Sequence, residues 1–289
     1  MISQVRTFNR RVTERVGALD DHFLSRDLPL GEARLLWEIG DDACDVRSLR
    51  IRLDLDSGYV SRLLRSLESA GLVTVEARES DRRVRVARLT RAGKAERAIL
   101  NQRSDELAAS LLEPLNERQR LRLVEAMAEV EHLLTAAAVR VASMDPAHPH
   151  AEHCLREYVG ELDERFGGGF DPAQSHPVSP DQLRPPSGVL LVATLASEPV
   201  GCGGLRLGAD GMAEIKRMWV ARNARGLGLG RRLLTGLETY AASHGVRVLR
   251  LETNGSLNEA VSLYRSSGYV EVDPFDDEAY AEHWFEKGL

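Results

Sequence analysis

A glycine-rich run between an apolar segment and a helix-like segment constrains the fold of this chain more than any other feature. Ahead of the run lie the apolar residues 218–220, and behind it Leu233, Leu234 and Leu237 repeat with helical spacing. A glycine-rich turn that opens a helix directs several free backbone N–H groups at one point, where the helix dipole adds positive potential. This arrangement predicts an anion site, most often one for phosphate. The run reads Arg225-Gly226-Leu227-Gly228-Leu229-Gly230-Arg231-Arg232.

Two common phosphate-binding motifs do not fit this run. The P-loop requires Gly-Lys-Ser/Thr, whereas Gly230 is followed by two arginines. The dinucleotide-binding fingerprint G-x-G-x-x-G requires a glycine where Arg231 stands. Taken alone, the run is also compatible with a turn whose glycines serve only packing.

The flanking segments add a second motif. In residues 214–220 and 246–253, apolar and polar side chains follow one another in the pattern that is typical of strands. Residues 258–269 read Asn-Glu-Ala-Val-Ser-Leu-Tyr-Arg-Ser-Ser-Gly-Tyr, with Ala260, Leu263 and Tyr264 on one helical face. Gly268 is typical of a helix C-terminus before another strand.

Together these motifs resemble the GNAT acetyltransferase superfamily, over roughly residues 138–289. Arg225, Gly228 and Gly230 match its Arg-x-x-Gly-x-Gly loop, and residues 258–269 match its Asn-x-x-Ala-x-x-Leu-Tyr-x-x-x-Gly-Phe/Tyr segment. The resemblance implies an α/β acyltransferase fold with a mixed, splayed central sheet and a loop that holds the pyrophosphate of acetyl-CoA. The residues expected to bind acetyl-CoA are Met218, Trp219, Val220, Arg225, Gly226, Leu227, Gly228, Leu229, Gly230, Arg231 and Asn258.

The resemblance also suggests catalytic residues for acetyl transfer to an amine. Tyr264 matches the tyrosine that protonates the sulfur of coenzyme A, although a purely structural aromatic is the alternative. A primary ammonium has a pKa near ~10.4, so a base contributes at neutral pH. Glu214, acting through a water, is the predicted base, with a simple ion pair to Lys216 or Arg217 as the alternative. Glu252 is the rival base.

Length and composition indicate an ordinary globular protein of two domains. The chain has 289 residues and a formal net charge of −6, and we predict domains over residues 1–137 and 138–289. No membrane span or signal peptide is expected. The three cysteines are odd in number and far apart, which favours reduced thiols in a cytoplasm.

Charge is distributed unevenly between the halves. Residues 1–137 carry 23 basic and 23 acidic side chains, and the remainder carries 15 and 21. Within residues 78–103 the balance is 9 basic to 3 acidic. A local basic patch is what contact with phosphate requires, so the net charge does not exclude nucleic acid.

The N-terminal half has a helix-turn-helix pattern. Apolar spacing predicts helices over residues 5–24, 32–39 and 46–53, although the third segment also alternates like a strand. A further helix, capped by either Asp56 or Ser57, runs to about Ala70, with Val60, Leu63, Leu64 and Leu67 on its inner side. Its outer side presents Ser57, Tyr59, Ser61, Arg62 and Arg65, which suit the DNA major groove.

Two strands with an arginine-rich turn follow this helix. Residues 72–76 and 84–89 form the predicted wing, and residues 81–93 with residues 64–73 resemble the MarR family of winged-helix regulators. The resemblance implies that Asp81 orients Arg82 in the groove. The alternative is a protein-interaction domain with solvated arginines. The wing residues expected to contact DNA are Asp81, Arg82, Arg83 and Arg85.

Two long helices, over residues 91–112 and 116–135, complete this half. The second has a long apolar stripe that one small domain cannot bury, and MarR-like proteins pack such helices into a homodimer on two half-sites. Residues 136–142 then pass directly into the second domain, without a flexible linker.

Three further segments contain residue types that often serve in functional sites. His148, His150, His153 and Cys154 match no zinc pattern, so no metal is expected. The loop over residues 166–170, with the proline-rich stretch to Pro186, is either a lid over the acceptor or a linker. Acidic residues in a predicted loop over 273–278 favour a cationic or amino-bearing acceptor, and an ordinary solvated loop is the alternative.

The expected function is therefore twofold: binding of operator DNA as a homodimer, and acetyl-CoA-dependent acetylation of an amine in the cytoplasm. Two alternatives remain open. In one, the GNAT fold senses acetyl-CoA or another ligand without turnover. In the other, the winged helix serves only for dimerisation.

Overall fold

The computed structural model describes residues 1–18, 22–78, 80–176, 178–208 and 210–289. These residues form two compact units, Met1–Met127 and Ala128–Leu289. The division falls within a helix that spans Glu117–Ala138, and the boundary expected between residues 137 and 138 lies near the end of that helix. That boundary stays a prediction.

The N-terminal unit is mainly helical with one small antiparallel sheet, as the sequence predicts. In the sheet, β3 lies between β1 and β2, and the β2–β3 hairpin is the predicted wing. The elements are α1 (Ile2–Arg15), α2 (Leu30–Ile39), β1 (Cys44–Asp45), α3 (Val46–Leu53), α4 (Ser57–Ser69), β2 (Val73–Arg78), β3 (Asp81–Leu89), α5 (Arg91–Leu112) and α6 (Glu117–Ala138).

The start and end of α4 follow from local chemistry. The Asp56 carboxylate accepts a hydrogen bond of 2.9 Å from the backbone N–H of Tyr59, one of the donors that a helix N-terminus leaves free. Gly71 has φ +69 just beyond the helix, a conformation that glycine adopts without strain. The predicted inner residues Val60, Leu63, Leu64 and Leu67 are all buried.

The first helix is shorter than the apolar pattern over residues 5–24 predicts. It ends at Arg15, because Gly17 adopts φ +65 and turns the chain out of the helix. Leu19, which was part of the pattern, lies outside the described residues. Phe23 belongs to a separate short turn and is buried. The ambiguous segment Val46–Leu53 is a helix, as predicted.

The C-terminal unit is built on a seven-stranded mixed sheet. Its strand order is β4-β5-β6-β7-β8-β10-β9, and among the strand pairs of the described residues β7 and β8 run parallel while the others are antiparallel. Helix α7 packs on one face, and α8 and α9 pack on the other. The elements are β4 (Arg140–Ser143), α7 (Pro149–Arg165), β5 (Gly188–Leu195), β6 (Glu198–Leu207), β7 (Met212–Val220), α8 (Leu229–Ser243), β8 (Val248–Thr253), α9 (Asn258–Ser266), β9 (Val270–Val272) and β10 (His283–Gly288).

The sheet is splayed between β7 and β8, which confirms the predicted fold class. The two strands pair only from Met212 with Val248 to Glu214 with Arg250. Beyond Glu214, β7 continues to Val220 without a partner in β8. The strands therefore separate and leave a gap that opens toward the glycine-rich loop.

A bulge in β7 coincides with this gap. Cys202 of β6 pairs with Trp219 and Gly204 pairs with Lys216, so Arg217 and Met218 together oppose Gly203. Arg217 has φ +58, which is uncommon for a residue with a side chain. A bulge leaves one backbone group outside the ladder and redirects a side chain, as commonly occurs beside functional sites.

Helices of membrane-spanning length and apolarity do not occur in the described part of the chain.

Candidate functional site

The glycine-rich loop opens α8, as its sequence predicts. Gly226 and Gly228 have φ +84 and +72, and Gly228 precedes the first helical residue, Leu229. Both values lie in the left-handed region, where glycine fits without strain. The first N–H groups of α8 therefore face the end of the loop, which is the arrangement of a helix N-terminus that binds phosphate.

A cavity of about 410 Å³ lies at this loop, between α7, β7 and α9, and we name it the loop cavity. Its volume is within the range of small-molecule sites. Leu227 and Asn258 were predicted to bind acetyl-CoA but do not line it, since Leu227 packs on the hydrophobic core and Asn258 is the first residue of α9. The predicted residues that do line it are Met218, Trp219, Val220, Arg225, Gly226, Gly228, Leu229, Gly230 and Arg231.

An ion-pair network crosses one side of the loop cavity. The Arg225 guanidinium donates to Glu161 of α7 at 2.6 Å, and Arg165 donates to Glu161 at 3.1 Å and to Glu259 at 2.8 Å. Burial opposes ionisation of Glu161, but the two arginines hold its pKa below the usual range. No motif in the sequence indicates Glu161, Arg165 or Glu259 as site residues, although the i,i+4 spacing of Glu161 and Arg165 on one helix is compatible with an ion pair.

A second, smaller cavity of about 80 Å³ adjoins the first, and we name it the inner cavity. The two cavities share Tyr158, Leu162, Met218, Leu257, Ala260 and Tyr264. The residue Tyr264 is only 4% exposed, and burial raises the pKa of its hydroxyl. Tyr264 is therefore a protonated group at the junction of the two cavities.

Glu252 is one of two glutamates, with Glu278, that line the inner cavity. Its side chain is 11% exposed, one carboxylate oxygen bonds to the Lys216 ammonium, and the other has no hydrogen-bond partner among the described residues. Burial raises the pKa of Glu252, although Lys216 opposes that shift. A buried carboxylate oxygen without a hydrogen-bond partner lowers the stability of the folded state unless a ligand or a water molecule donates a hydrogen bond to it.

The predicted base, Glu214, lies outside the lining of both cavities. It accepts from Arg206, and its carboxylate is 3.7 Å from the Lys216 ammonium. The ion pair considered as an alternative is thus present, with Arg206 as the main partner. Its catalytic role stays a prediction.

A wider opening of about 730 Å³ lies beside the inner cavity, and we name it the outer cleft. Phe166, Phe170 and Tyr280 line both, with Phe166 and Tyr280 stacked at 5.4 Å between ring centroids. The loop over residues 166–170 thus contributes to the wall of this opening.

The predicted acidic loop over residues 273–278 lies between β9 and β10. In it, the buried Glu278 carboxylate accepts hydrogen bonds from the Ser175 hydroxyl and from the backbone N–H of His176.

The histidines near the start of α7 have local roles. His148 caps the helix by accepting a 3.1 Å bond from the backbone N–H of His150. Within the described ranges, the three acidic or metal-ligating side chains that approach closely are Glu214, Glu252 and Asp276. The Lys216 ammonium already bonds to that cluster, so a cation is present there.

The outer face of α4 and the wing present polar side chains to solvent. Arg62 and Arg65 are exposed, and Arg62 lies 5.7 Å from the ring centroid of Tyr59. The Asp81 carboxylate accepts a 3.0 Å bond from the backbone N–H of Arg83, and β3 already begins at Asp81 rather than at residue 84. Exposed groups on this surface are Ser57, Tyr59, Arg62, Arg65, Asp81, Arg82, Arg83 and Arg85, with Ser61 half-buried.

Comparison with known proteins finds a family match within each half of the chain. The acetyltransferase (GNAT) family matches residues 155–269, and the MarR family matches residues 26–84. An IAA acetyltransferase of Azospirillum brasilense is 34% identical over 120 residues, which are 41% of this chain and 78% of that protein. An uncharacterized N-acetyltransferase of Schizosaccharomyces pombe is 34% identical over 93 residues, or 32% of this chain and 57% of that protein.

Solved structures match the C-terminal part. An acetyltransferase of the GNAT family from Staphylococcus aureus is 17% identical, with a TM-score of 0.42, and the match covers 53% of this chain and 99% of that one. The family assignment rests on the sequence matches. The chain belongs to the acetyltransferase (GNAT) family, with a MarR-family region preceding its acyltransferase fold.

Proposed function

We propose that the C-terminal unit transfers the acetyl group of acetyl-CoA to the amino group of a small molecule. The observation that carries this proposal is the meeting of two cavities at Tyr264, one at an anion-binding helix N-terminus and one at an unsatisfied carboxylate. The pyrophosphate binds at the start of α8, and the pantetheine arm lies along β7 where that strand has no partner in β8.

The residues of the site support direct transfer. Glu252 accepts a proton from the acceptor ammonium, and the freed nitrogen attacks the thioester carbonyl carbon. The C–N bond forms and the C–S bond breaks, and the leaving sulfur takes the proton of the Tyr264 hydroxyl. The nitrogen loses a second proton as the amide forms, so that one of the two protons returns through Glu252 and solvent to the Tyr264 oxygen and the other is released to solvent. The products are an N-acetyl compound and free coenzyme A.

Glu252 is a better base than Glu214 on two grounds. The Glu252 carboxylate lines the inner cavity and has an oxygen without a partner, whereas Glu214 is held by Arg206 away from both cavities. Burial raises the pKa of Glu252, which makes it a stronger proton acceptor than an exposed glutamate.

The test combines binding with turnover. Calorimetry with acetyl-CoA measures occupation of the loop cavity, and release of free thiol in the presence of a panel of amines measures transfer. We expect binding together with amine-dependent thiol release, followed by mass detection of the acetylated product. Tight binding of acetyl-CoA without thiol release in the presence of any amine would favour a GNAT domain that senses acetyl-CoA without turnover. The absence of binding would refute both the enzyme and the acetyl-CoA sensor.

We further propose that the N-terminal unit binds duplex DNA through α4 and the wing. The exposed arginines at residues 62, 65, 82, 83 and 85 provide phosphate-neutralising groups, and the outer face of α4 offers hydroxyls for base edges. Affinity for a duplex selected from a random library should fall steeply with salt. A salt-insensitive or absent interaction would favour the dimerisation scaffold.

A homodimer is part of the same proposal. The apolar side chains of α1 are largely exposed, with Val5 at 57% and Phe8 at 46%, and Leu121 and Val124 of α6 are also exposed. Exposed apolar side chains along helices mark a surface that another chain covers. Light scattering of the full chain should give twice the monomer mass, and Phe8→Glu should shift it toward the monomer. A monomeric wild-type protein would refute the dimer.

A further inference from the structure

Within the described part of the chain, Arg217 is a cation of the inner cavity for which no acidic partner is present. Of the two cations that line it, Lys216 is bonded to Glu252. Arg217 lies over the ring of Tyr158, with 5.4 Å between its guanidinium carbon and the ring centroid. Among the residues that the structure describes, no carboxylate lies within ion-pair distance of Arg217. This guanidinium is therefore available to an anionic group.

The backbone of β7 places this guanidinium at the cavity. Arg217 occupies the bulge opposite Gly203, and a Cβ at Gly203 would lie 2.6 Å from the Met218 sulfur. A side chain at position 203 would therefore have to displace the Met218 side chain next to the bulge. A bulge redirects the side chain it carries, and here the side chain points to α7 and the cavity rather than along the sheet.

The same cavity also contains a negatively charged group of the protein, the Glu252 carboxylate. The second carboxylate oxygen of Glu252 is buried without a partner within the described residues. Glu278, the other acidic group of the lining, already accepts from Ser175 and from the backbone of His176. Arg217 and Glu252 both affect the pKa of the Tyr158 hydroxyl, which burial raises, so the two charges flank one tyrosine.

An apolar wall continues from the charged groups toward solvent. Phe166, Phe170 and Tyr280 stand between the inner cavity and the outer cleft, and the ring centroids of Phe170 and Tyr280 are 5.0 Å apart. A ligand whose charged end fills the inner cavity would pass its side chain along these rings into the cleft. Such a wall favours an apolar or aromatic side chain.

We propose that the acceptor is an α-amino acid, whose ammonium faces Glu252 and whose carboxylate pairs with Arg217. This inference rests on the proposed acetyltransferase activity and specifies its substrate. The carboxylate fixes the acceptor by a bidentate hydrogen bond, for which a guanidinium is the best donor. The product is an N-acetyl amino acid, with the balance of bonds and protons given above.

The experiment compares amino acids with their decarboxylated amines. Each standard α-amino acid is paired with the amine that lacks only its carboxylate, and thiol release is measured with the full-length protein at saturating acetyl-CoA. For the pair phenylalanine and 2-phenylethylamine, we expect kcat/KM to favour the amino acid about 10- to 150-fold, the range of a charged hydrogen bond. Equal or faster turnover of the amines throughout the panel would overturn the proposal.

Variants at Arg217 separate a binding role from a structural one. Arg217→Gln should reduce the preference for phenylalanine to near one, mainly through KM, and Arg217→Lys should restore part of it. The matched control Arg206→Gln removes a guanidinium that pairs with Glu214 outside the cavities, and it should keep the preference. Loss of the preference in both glutamine variants would overturn the proposal, since it would indicate a general effect on the sheet.

A binding measurement decides the matter even if no amine is acetylated. The protein saturated with coenzyme A is titrated with phenylalanine, and with 2-phenylethylamine, by calorimetry. Amino acid binding that Arg217→Gln weakens would support the site while the enzymatic proposal fails. Absence of amino acid binding, or binding that is unchanged in Arg217→Gln, would overturn it.

Discussion

Replacement of Glu252 by glutamine tests which carboxylate accepts the proton of the acceptor. The substitution keeps the shape of the side chain and its ability to bond to the Lys216 ammonium, but it removes the negative charge. It also leaves the cavity wall nearly unchanged in volume. The expected loss is therefore one of proton transfer and not of packing.

The magnitude follows from the acid–base chemistry of the acceptor. With a primary alkylamine from the panel as the acceptor, the ammonium has a pKa of ~10.4 and is neutral to about one part in a thousand at pH 7.4. Without an internal base, only that fraction reacts, so we expect Glu252→Gln to lower kcat/KM by about 10²- to 10³-fold at this pH. In free energy this corresponds to ~3–4 kcal/mol of transition-state stabilisation.

The pH profile gives a second, independent readout. Because burial raises the pKa of Glu252, its carboxyl keeps a proton to a higher pH than an exposed glutamate does. Only the deprotonated carboxylate accepts a proton. On the acid side of the profile, kcat/KM should therefore begin to fall at a pH above the usual pKa range of glutamate. That limb should disappear in Glu252→Gln, and the activity that remains should rise tenfold per pH unit with the neutral fraction of the amine.

Glu214→Gln provides the matched control in the thiol-release assay. Glu214 is next to the same Lys216, at 3.7 Å, but it lies outside both cavities. We expect its kcat/KM to stay within about fivefold of the wild type. A small effect of Glu252→Gln beside a large effect of Glu214→Gln would refute our reasoning and support the water-mediated base that the sequence predicts.

Three other outcomes are expected. Tyr264→Phe should lower kcat at least about 100-fold while the calorimetric Kd for acetyl-CoA stays within about threefold, because the hydroxyl serves proton donation; unchanged kcat would leave Tyr264 as a core aromatic. Arg82→Ala should weaken binding to the selected duplex about tenfold and reduce the salt slope by about one, as for a lost phosphate contact; equal affinity would remove Arg82 from the interface. Gly93→Ala should destabilise the N-terminal unit by about 2–3 kcal/mol in urea titration, since a Cβ there would lie 1.9 Å from the Leu72 carbonyl oxygen. In contrast, Gly160→Ala meets no atom within 4 Å and should raise stability slightly.

The local features of this chain were predictable because they depend on residues a few positions apart. The glycines at residues 226 and 228 adopt the turn that their spacing indicates, Asp56 caps α4, and the apolar stripe of α4 is buried. Most of the residues expected around acetyl-CoA line the loop cavity, since they form one contiguous strand–turn–helix unit. The end of α1 was missed because a single glycine outweighs an apolar pattern that continues beyond it.

Contacts between distant segments were decided by the tertiary structure. Arg225 pairs with Glu161, a residue 64 positions earlier in the chain, and no local pattern indicates that partner. Glu214 and Glu252 are equivalent in sequence, each a glutamate on a strand beside basic residues. Their difference arises because β7 and β8 stop pairing at Glu214, so that the gap beyond this point exposes Glu252 to the cavity and leaves Glu214 within the paired sheet. The local sequence pattern specifies which residues can form a strand. Whether two strands pair or separate depends on the helices and loops that pack against them, which come from distant parts of the chain.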